Sequence, residues 1–329
     1  MPVIPITDAG DPRIADYRNV SDPELLRRRR LFVAENRLVV RALVTSARFR
    51  TRSVLVTDAA FGSLQHVLAP LEPVLPVYVC PKSLMEPVSG YHIHRGCLAL
   101  GERPAPVTVA DLLAALDARR EQAEWGVGAP RATEPGGVQG APPLKRSLVV
   151  LEAITNADNV GAIFRNARAF GVEGIVMGPR CCDPLYRKAI RVSIGATLVV
   201  PFATVEGVGT QSLDYESVTQ FRNQGIESRP PFLLALKRAG FTLVALTPAA
   251  DAVDLTRFAA APLPDRIALV VGNEGEGLSA AAQEACDVRV RIAMAPGVDS
   301  LNASTATGIA LHRIFPTGPS RPEGRNLRT

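Results

Sequence analysis

Residues 147–171 read SLVVLEAITNADNVGAIFRNARAFG. Ser147–Ile154 is an apolar run of the length and type that a parallel strand buried on both faces requires. From about Asn159 to Phe170 the pattern changes to a helical period. Val160, Ile163, Phe164, Ala167 and Phe170 fall on one face, and Arg165 points away from it. Gly174–Gly178 then reads as a second apolar strand. A strand, a crossover helix and a strand in about 30 residues make a βαβ unit, which predicts an α/β protein with a parallel sheet. Gly161 leaves backbone open in the first turn of the helix, at the carboxyl edge of the sheet where ligands commonly dock.

Downstream, the alternation continues. The sequence predicts a helix near Pro184–Arg191, a strand near Thr197–Pro201, an exposed insertion at 206–231 and a helix over Phe232–Ala239. Strands at Phe241–Thr247, Ile267–Gly272 and Val288–Ile292 follow, with helices at Ser279–Cys286 and Ser300–Phe315. Two of the junctions are unusual. In Ala268–Ser279 an apolar strand enters a loop with glycines at 272, 275 and 277. The spacing is GxxGxG, not the GxGxxG of dinucleotide binders, and Glu274 and Glu276 would repel a pyrophosphate. That loop suits a ligand of positive or no net charge. In Val290–Leu311 a strand ends at a Pro-Gly turn, and a helix opens on Ser300, Asn302, Ser304 and Thr305. One N-cap needs one such side chain; the others offer hydrogen-bonding groups beyond it. Ala303, Ala306 and Ala310 permit close helix packing.

Upstream, residues 1–20 read as an irregular segment carrying Pro2, Pro5, Gly10 and Pro12. Residues 21–105 read as a small α/β domain: a helix from about Pro23 through the arginine run, capped by Ser21 or Asp22, and a helix from Arg37 to Ala47. Then come a strand at Ser53–Thr57, a helix at Ala59–Leu68, a strand at Val77–Cys80, a helix at Lys82–Val88 and a strand at Gly96–Leu100. Residues 106–146 combine an amphipathic helix over 108–124, with Leu112, Leu113 and Leu116 as its stripe, and a Gly/Pro-rich linker at 126–146. The second domain occupies 147–315, and 316–329 reads as a mobile tail.

Charge is uneven. The net charge is +5, but the stretch 13–52 alone holds eleven arginines against four carboxylates. Such a patch is the footprint of a polyanion binder. The five cysteines are odd in number and have no CxxC spacing, which argues against a disulfide framework and a zinc ribbon and fits a reducing cytoplasm. His92 and His94 could share a strand face, yet no further ligand is nearby, so no metal is expected. No apolar run approaches a membrane span, and the opening residues lack the basic-then-apolar order of a signal peptide.

Taken together, the segments Asn156–Gly171, Ala268–Ser279 and Val290–Leu311 resemble, in order, spacing and strand-to-loop context, the three motifs of the SpoU/TrmH class of SPOUT RNA methyltransferases. The resemblance covers about 147–203 and 241–315. Over the N-terminal domain, Arg30-Leu-Phe-Val-Ala-Glu-Asn-Arg-Leu-Val is similar to the family's small ribosomal-protein-like RNA-binding domain, with Glu35-Asn36 where the family commonly has Glu-Gly. The resemblance implies a SPOUT-type parallel sheet with a C-terminal trefoil knot, and a homodimer with its active site at or near the interface. It also implies S-adenosylmethionine as methyl donor and a ribose 2′-hydroxyl of RNA as acceptor. Ribosomal RNA is preferred over transfer RNA, because the N-terminal domain resembles the ribosomal-RNA branch.

By the same resemblance, Asn159 and Arg165 carry the first motif. Gly272, Asn273, Glu274 and Gly277 carry the second. The third places cofactor contacts at Ile292, Met294 and Leu301, with Asn302 and Ser304 beside the reaction centre; here Ala293 replaces the family's usual proline. The expected catalytic group is therefore Arg165, Asn159, Glu274, Asn302 and Ser304. RNA phosphates are expected at Arg27, Arg28, Arg29, Arg30, Arg37 and Arg41. Two rival readings remain at this point: a nicotinamide-dependent oxidoreductase built on Gly272–Gly277, and a non-catalytic RNA-binding protein on the same fold.

Overall fold

The computed structural model describes residues 3–18, 22–71, 75–89, 96–124, 146–205 and 230–315. Two sheets organise the chain. The first has strands β1 (Val3–Pro5), β2 (Leu31–Glu35), β3 (Thr51–Thr57), β4 (Val77–Cys80) and β5 (Cys97–Glu102), in the order β1-β4-β3-β5-β2. Its helices are α1 (Asp22–Arg28), α2 (Arg37–Val44), α3 (Asp58–Leu68) and α4 (Lys82–Ser89). β5 pairs antiparallel with β2 and β3, and the other pairs are parallel.

The second sheet is parallel throughout. Its strands are β6 (Arg146–Leu151), β7 (Gly174–Met177), β8 (Phe202–Thr204), β9 (Thr242–Leu246), β10 (Val253–Asp254), β11 (Arg266–Val271) and β12 (Val288–Arg291), in the order β10-β12-β9-β11-β6-β7-β8. Helices α5 (Val109–Glu124), α6 (Ala157–Ala169), α7 (Arg187–Val192), α8 (Pro231–Arg238), α9 (Leu255–Ala260), α10 (Ala280–Ala285) and α11 (Ala303–Ile314) accompany it.

The continuous apolar strands are explained by burial on both faces. Val149, Leu151, Leu269 and Val271 pack with Val160, Ile163 and Phe164 of α6 and with Leu311 of α11. Their alternating neighbours Leu148, Val150, Ala268 and Val270 pack with Leu112 and Leu116 of α5, with Leu233 and with Ala282. Strand order reverses between β6 and β11, because β7 and β8 extend the sheet one way and β11, β9 and β12 the other. The carboxyl edge beside such a reversal is the natural ligand site of an open α/β sheet.

Several expectations need correction. The opening segment is not irregular: β1 pairs with β4, residues Pro12–Tyr17 form a 3₁₀ helix, and Ile6, Ile14 and Tyr17 are buried. Its proline is tolerated because β1 is an edge strand. The α1 helix stops at Arg28 instead of running through the arginines. Arg30 adopts φ 56°, and Leu31–Glu35 continues as a strand on β5. The strand placed near Thr197–Pro201 lies later, at Phe202–Thr204. Gly195, at φ 75°, turns the chain into a short 3₁₀ helix over Ala196–Leu198 instead. The final helix is capped by Asn302, not Ser300. Neither β10 nor α9 was anticipated. The expectations for His92 and His94, nearly all of the 126–146 linker and the 206–231 insertion, and the 316–329 tail lie outside the described residues. No helix is long and apolar enough to cross a membrane, and no group of three or more metal-ligating side chains occurs among the described residues.

Among the described residues, polar contacts join the sheets. Arg103, just beyond β5, reaches the buried Asp183 carboxylate at 2.7 Å. The Asp22 carboxylate accepts from the Arg187 backbone N–H at 2.9 Å. Arg48 lies over the Phe202 ring, 3.9 Å from its centroid, and donates to the Phe202 carbonyl at 3.1 Å.

Candidate active site

The glycine loop after β11 closes on itself. Asn273 and Gly277 exchange two 3.0 Å backbone hydrogen bonds, and Gly277 takes φ +71°, a region open to glycine at little cost. A side chain at Gly272 would overlap the Gly277 and Leu278 backbone, so the close return of the loop depends on its absence. The Asn273 side chain holds the turn from inside. Its Oδ1 accepts from Gly275 N–H at 2.8 Å and Glu276 N–H at 3.1 Å. Its Nδ2 donates to the Ala153 carbonyl at 2.8 Å. Ala153 itself is at φ 54°, so this bond steadies a strained turn after β6. From the same turn, the Glu152 carboxylate accepts from Ser279 N–H at 3.0 Å and from Ser279 Oγ at 2.7 Å.

A second feature connects helix starts. Asn302 caps α11: its Oδ1 accepts from Ser304 N–H at 2.9 Å, Ser304 Oγ at 2.6 Å and Thr305 N–H at 3.3 Å. Its Nδ2 donates to Asn159 Oδ1 at 2.8 Å, and Asn159 Nδ2 donates to Glu274 Oε1 at 2.6 Å. Four of the five expected catalytic residues thus form one hydrogen-bonded chain, Ser304–Asn302–Asn159–Glu274. Asn159 is buried, so its amide is oriented on both sides by these partners. Two turns further along α6, Asn166 Nδ2 donates to the Ser304 carbonyl at 2.9 Å, tying the two helices together again.

A cavity of about 290 Å³ opens where the loops after β9, β11 and β12 meet. All six residues expected to hold the cofactor line it: Gly272, Asn273, Gly277, Ile292, Met294 and Leu301. Glu274 and Glu276 line it as well, and among the described residues no arginine or lysine does. The lining contradicts a dinucleotide site, because a pyrophosphate would meet two carboxylates and no compensating cation. Sequence reasoning missed Leu246, Thr247 and Pro248 after β9. A Thr-Pro pair ending an apolar strand was the available signal. Ser300 and Ala303 also line the cavity.

Arg165 is not part of this cluster. It is exposed, six residues after Asn159 on α6, and so about 9 Å farther along the helix axis. Among the described residues it forms no hydrogen bond or ion pair. Nearby, the Cys181 thiol donates to the Leu151 carbonyl at 3.4 Å, and burial pushes its pKa up to about 12, so it is no nucleophile at neutral pH.

The expected RNA-facing arginines divide. Arg28, Arg37 and Arg41 are exposed. Arg29 is held by Asp16 at 2.5 Å and Glu24 at 3.6 Å, and Arg30 donates to the Pro104 carbonyl at 2.9 Å. These two are therefore engaged within the chain, and Arg27 also has an intramolecular partner.

Residues 146–215 and 210–312 match the family model described as the SpoU rRNA Methylase family. An uncharacterized tRNA/rRNA methyltransferase of Mycobacterium tuberculosis is 35% identical over 317 residues, covering 95% of this chain and 92% of that one. Among solved structures, the AdoMet-bound rRNA methyltransferase from Sinorhizobium meliloti superposes with a TM-score of 0.64 at 20% identity, over 95% of this chain and 97% of that one. An RNA 2′-O ribose methyltransferase gives 0.60 at 24% identity, over 94% and 98%. Both share the fold of this chain.

Proposed function

The chain belongs to the SpoU rRNA Methylase family, and from that premise we propose that it transfers a methyl group from S-adenosylmethionine to a ribose 2′-hydroxyl of RNA, with ribosomal RNA as the preferred substrate. The observation that carries this reading is the 290 Å³ cavity, with two carboxylates and, among the described residues, no basic side chain in its lining. The residues present fit S-adenosylmethionine. Ile292, Met294 and Leu301 offer apolar contact for an adenine. The backbone of Gly272 and its neighbours offers hydrogen bonds, and Glu274 and Glu276 complement a positive charge. When bound, that cofactor supplies an activated methyl group on a sulfonium.

The protein's own share is positioning and electrostatics. A ribose hydroxyl is a weak nucleophile at neutral pH, and its proton must leave as the new O–C bond forms. Asn159, Asn302, Ser304 and Glu274 orient the ribose against the cavity mouth through their continuous hydrogen-bonded chain. Arg165 holds the adjacent RNA phosphate, and that phosphate takes up the hydroxyl proton. Arginine itself is too weak an acid to act as the base. The position of Arg165 outside the cavity supports a site completed by RNA, or by a second copy of the chain in a homodimer. The parallel order β12-β9-β11-β6 and the gathering of three loops at one cavity support the trefoil knot as part of the same reading, with the reducing cytoplasm as its setting. The RNA is gripped first by the N-terminal sheet, where Arg28, Arg37 and Arg41 are exposed.

The deciding experiment incubates the protein and methyl-labelled S-adenosylmethionine with unmodified ribosomal or transfer RNA, followed by digestion to nucleosides. Label in a 2′-O-methyl nucleoside of ribosomal RNA is the expected result. Label only in transfer RNA moves the substrate, and label on a base overturns the ribose assignment.

A further inference from the structure

A second and larger hollow, of about 960 Å³, lies between the two sheets. Its walls come from α2 and the turn after it, from α5, from the end of α6 and from the segment 194–202. Four arginines line it, Arg41, Arg48, Arg119 and Arg168, and among the described residues no aspartate or glutamate does. Among the described residues, Arg41, Arg119 and Arg168 form no side-chain hydrogen bond or ion pair. Arg48 is committed on one side to Phe202, yet its Nη1 is buried with no partner. Burial, with the nearby Arg119 charge, pushes the Arg48 pKa down to about 10. Like charges gathered without a counter-charge among the described residues make a positive potential that favours an anion there.

Most of the remaining wall is apolar, with Thr45 and Ser46 as polar members. Leu38 is 56% exposed and Val199 48%, and Leu198 and Phe202 lie beside them. Phosphates alone would not need such a surface, whereas nucleobases lie against apolar and guanidinium planes. Helix α6 links the hollow to the proposed reaction centre, since Arg168 lines the one and Asn159 belongs to the other. Arg168 follows Arg165 by one turn of α6, and lies about 14 Å along the axis from Asn159, roughly four stacked nucleotides at about 3.4 Å each.

We propose that this interdomain cleft is the track for a single-stranded stretch of RNA adjoining the modified nucleotide, with its phosphates on Arg41, Arg119 and Arg168 and its bases against the exposed Leu38 and Val199. The inference rests on the methyltransferase reading above and adds where the substrate runs. A strand whose bases lie against the protein wall is unpaired, so on this reading the target nucleotide lies in a loop or other unpaired region of its RNA.

The test uses the full chain and a fluorescein-labelled 12-nucleotide oligouridine, with binding followed by anisotropy from 50 to 300 mM KCl. The double variant Arg119→Ala/Arg168→Ala should bind about tenfold more weakly or worse at low salt. Its salt slope should fall by about 1.4, at about 0.7 per lost contact to a single strand. Arg119→Lys/Arg168→Lys should keep the wild-type slope. Unchanged affinity and slope in the alanine variant would overturn the track. So would equal binding of a glutamate oligopeptide of the same charge, which would make the cleft a protein-docking site. A change in mass by light scattering on the alanine double substitution would instead assign the cleft to a second copy. Calorimetric titration of S-adenosylmethionine on the same preparations keeps the two readings apart. If the wild type takes no cofactor, the methyltransferase reading fails; if it does and the arginine variants bind oligouridine normally, only the track fails.

Discussion

Asn302 Nδ2 donates to Asn159 Oδ1 at 2.8 Å across 143 residues of sequence, joining the starts of two helices above neighbouring parts of one sheet. Both side chains also serve their surroundings, Asn302 as a cap and Asn159 as the donor to Glu274. Asn159→Asp keeps the acceptor for Asn302 but sets a carboxylate against that of Glu274. Two carboxylates at this distance cannot both ionise, so the pair's pKa rises above the ordinary range in the folded state. Stability should fall by about 2 kcal/mol or more at pH 8. The loss should shrink as pH falls toward 5 and one proton is retained. Urea midpoints at several pH values will show this, and a pH-independent loss would contradict it.

The glycine loop yields a ranked series. Gly272→Ala should abolish cofactor binding and cost several kcal/mol, because the new Cβ overlaps main chain that cannot withdraw. Gly277→Ala meets nothing within 4 Å, and should cost only about 1 kcal/mol for its φ of +71°. Gly275→Ala, with ordinary space beside Asn273 Oδ1, should be nearly silent. Calorimetric affinity and thermal melting of the three variants check the order.

Arg165→Ala should leave melting temperature and cofactor affinity unchanged, because the side chain is exposed and unpaired among the described residues. Turnover on RNA should fall about a hundredfold or more. Full turnover in a folded, cofactor-binding variant would remove Arg165 from the mechanism.

Asn36 sits at φ 91°, ψ 143°, a conformation that belongs to glycine, while its side chain accepts from Leu38 N–H to cap α2. Asn36→Gly relieves the strain and gives up a cap for which glycine is a fair substitute. The net gain should be about 1 kcal/mol after the extra freedom of the unfolded chain is subtracted. A lower urea midpoint would show that the cap outweighs the strain.

Burial holds Cys181, Cys182 and Cys286 at about 12. At pH 8 such thiols are ionised to roughly one part in ten thousand. Iodoacetamide should therefore label them negligibly in the native protein and readily in urea, as peptide mass spectrometry would record. Because Cys286 alone is not fully buried, it should be first to react on mild destabilisation.

Much of the second sheet was readable in advance, because strands buried on both faces leave unbroken apolar runs and α6 shows a clean 3.6-residue stripe. The cavity residues were readable for a different reason: small and polar residues stand where a helix or strand would otherwise place bulk. What escaped detection depended on partners distant in sequence. Leu31–Glu35 becomes a strand because β5 offers it an edge 63 to 71 residues later, and β1 is recruited by β4 despite its proline. Thr197–Pro201 has strand-like composition, but Gly195 bends the chain before it can pair. No local pattern reveals that Arg29 and Arg30 are engaged within the chain while Arg119 and Arg168 are not.

Apolar residues of both sheets merge into one buried cluster, in which Phe32, Val39 and Leu43 belong with Val149, Phe164 and Ile190. Arg103–Asp183 and Asp22–Arg187 fasten the same seam. The N-terminal sheet is thus welded to the other half, unlike a recognition module carried on a tether. It cannot swing out to search for RNA and then fold back over it. The distance from the first arginines met to the cofactor cavity is a built-in ruler, and in the encounter the bending must come from the RNA.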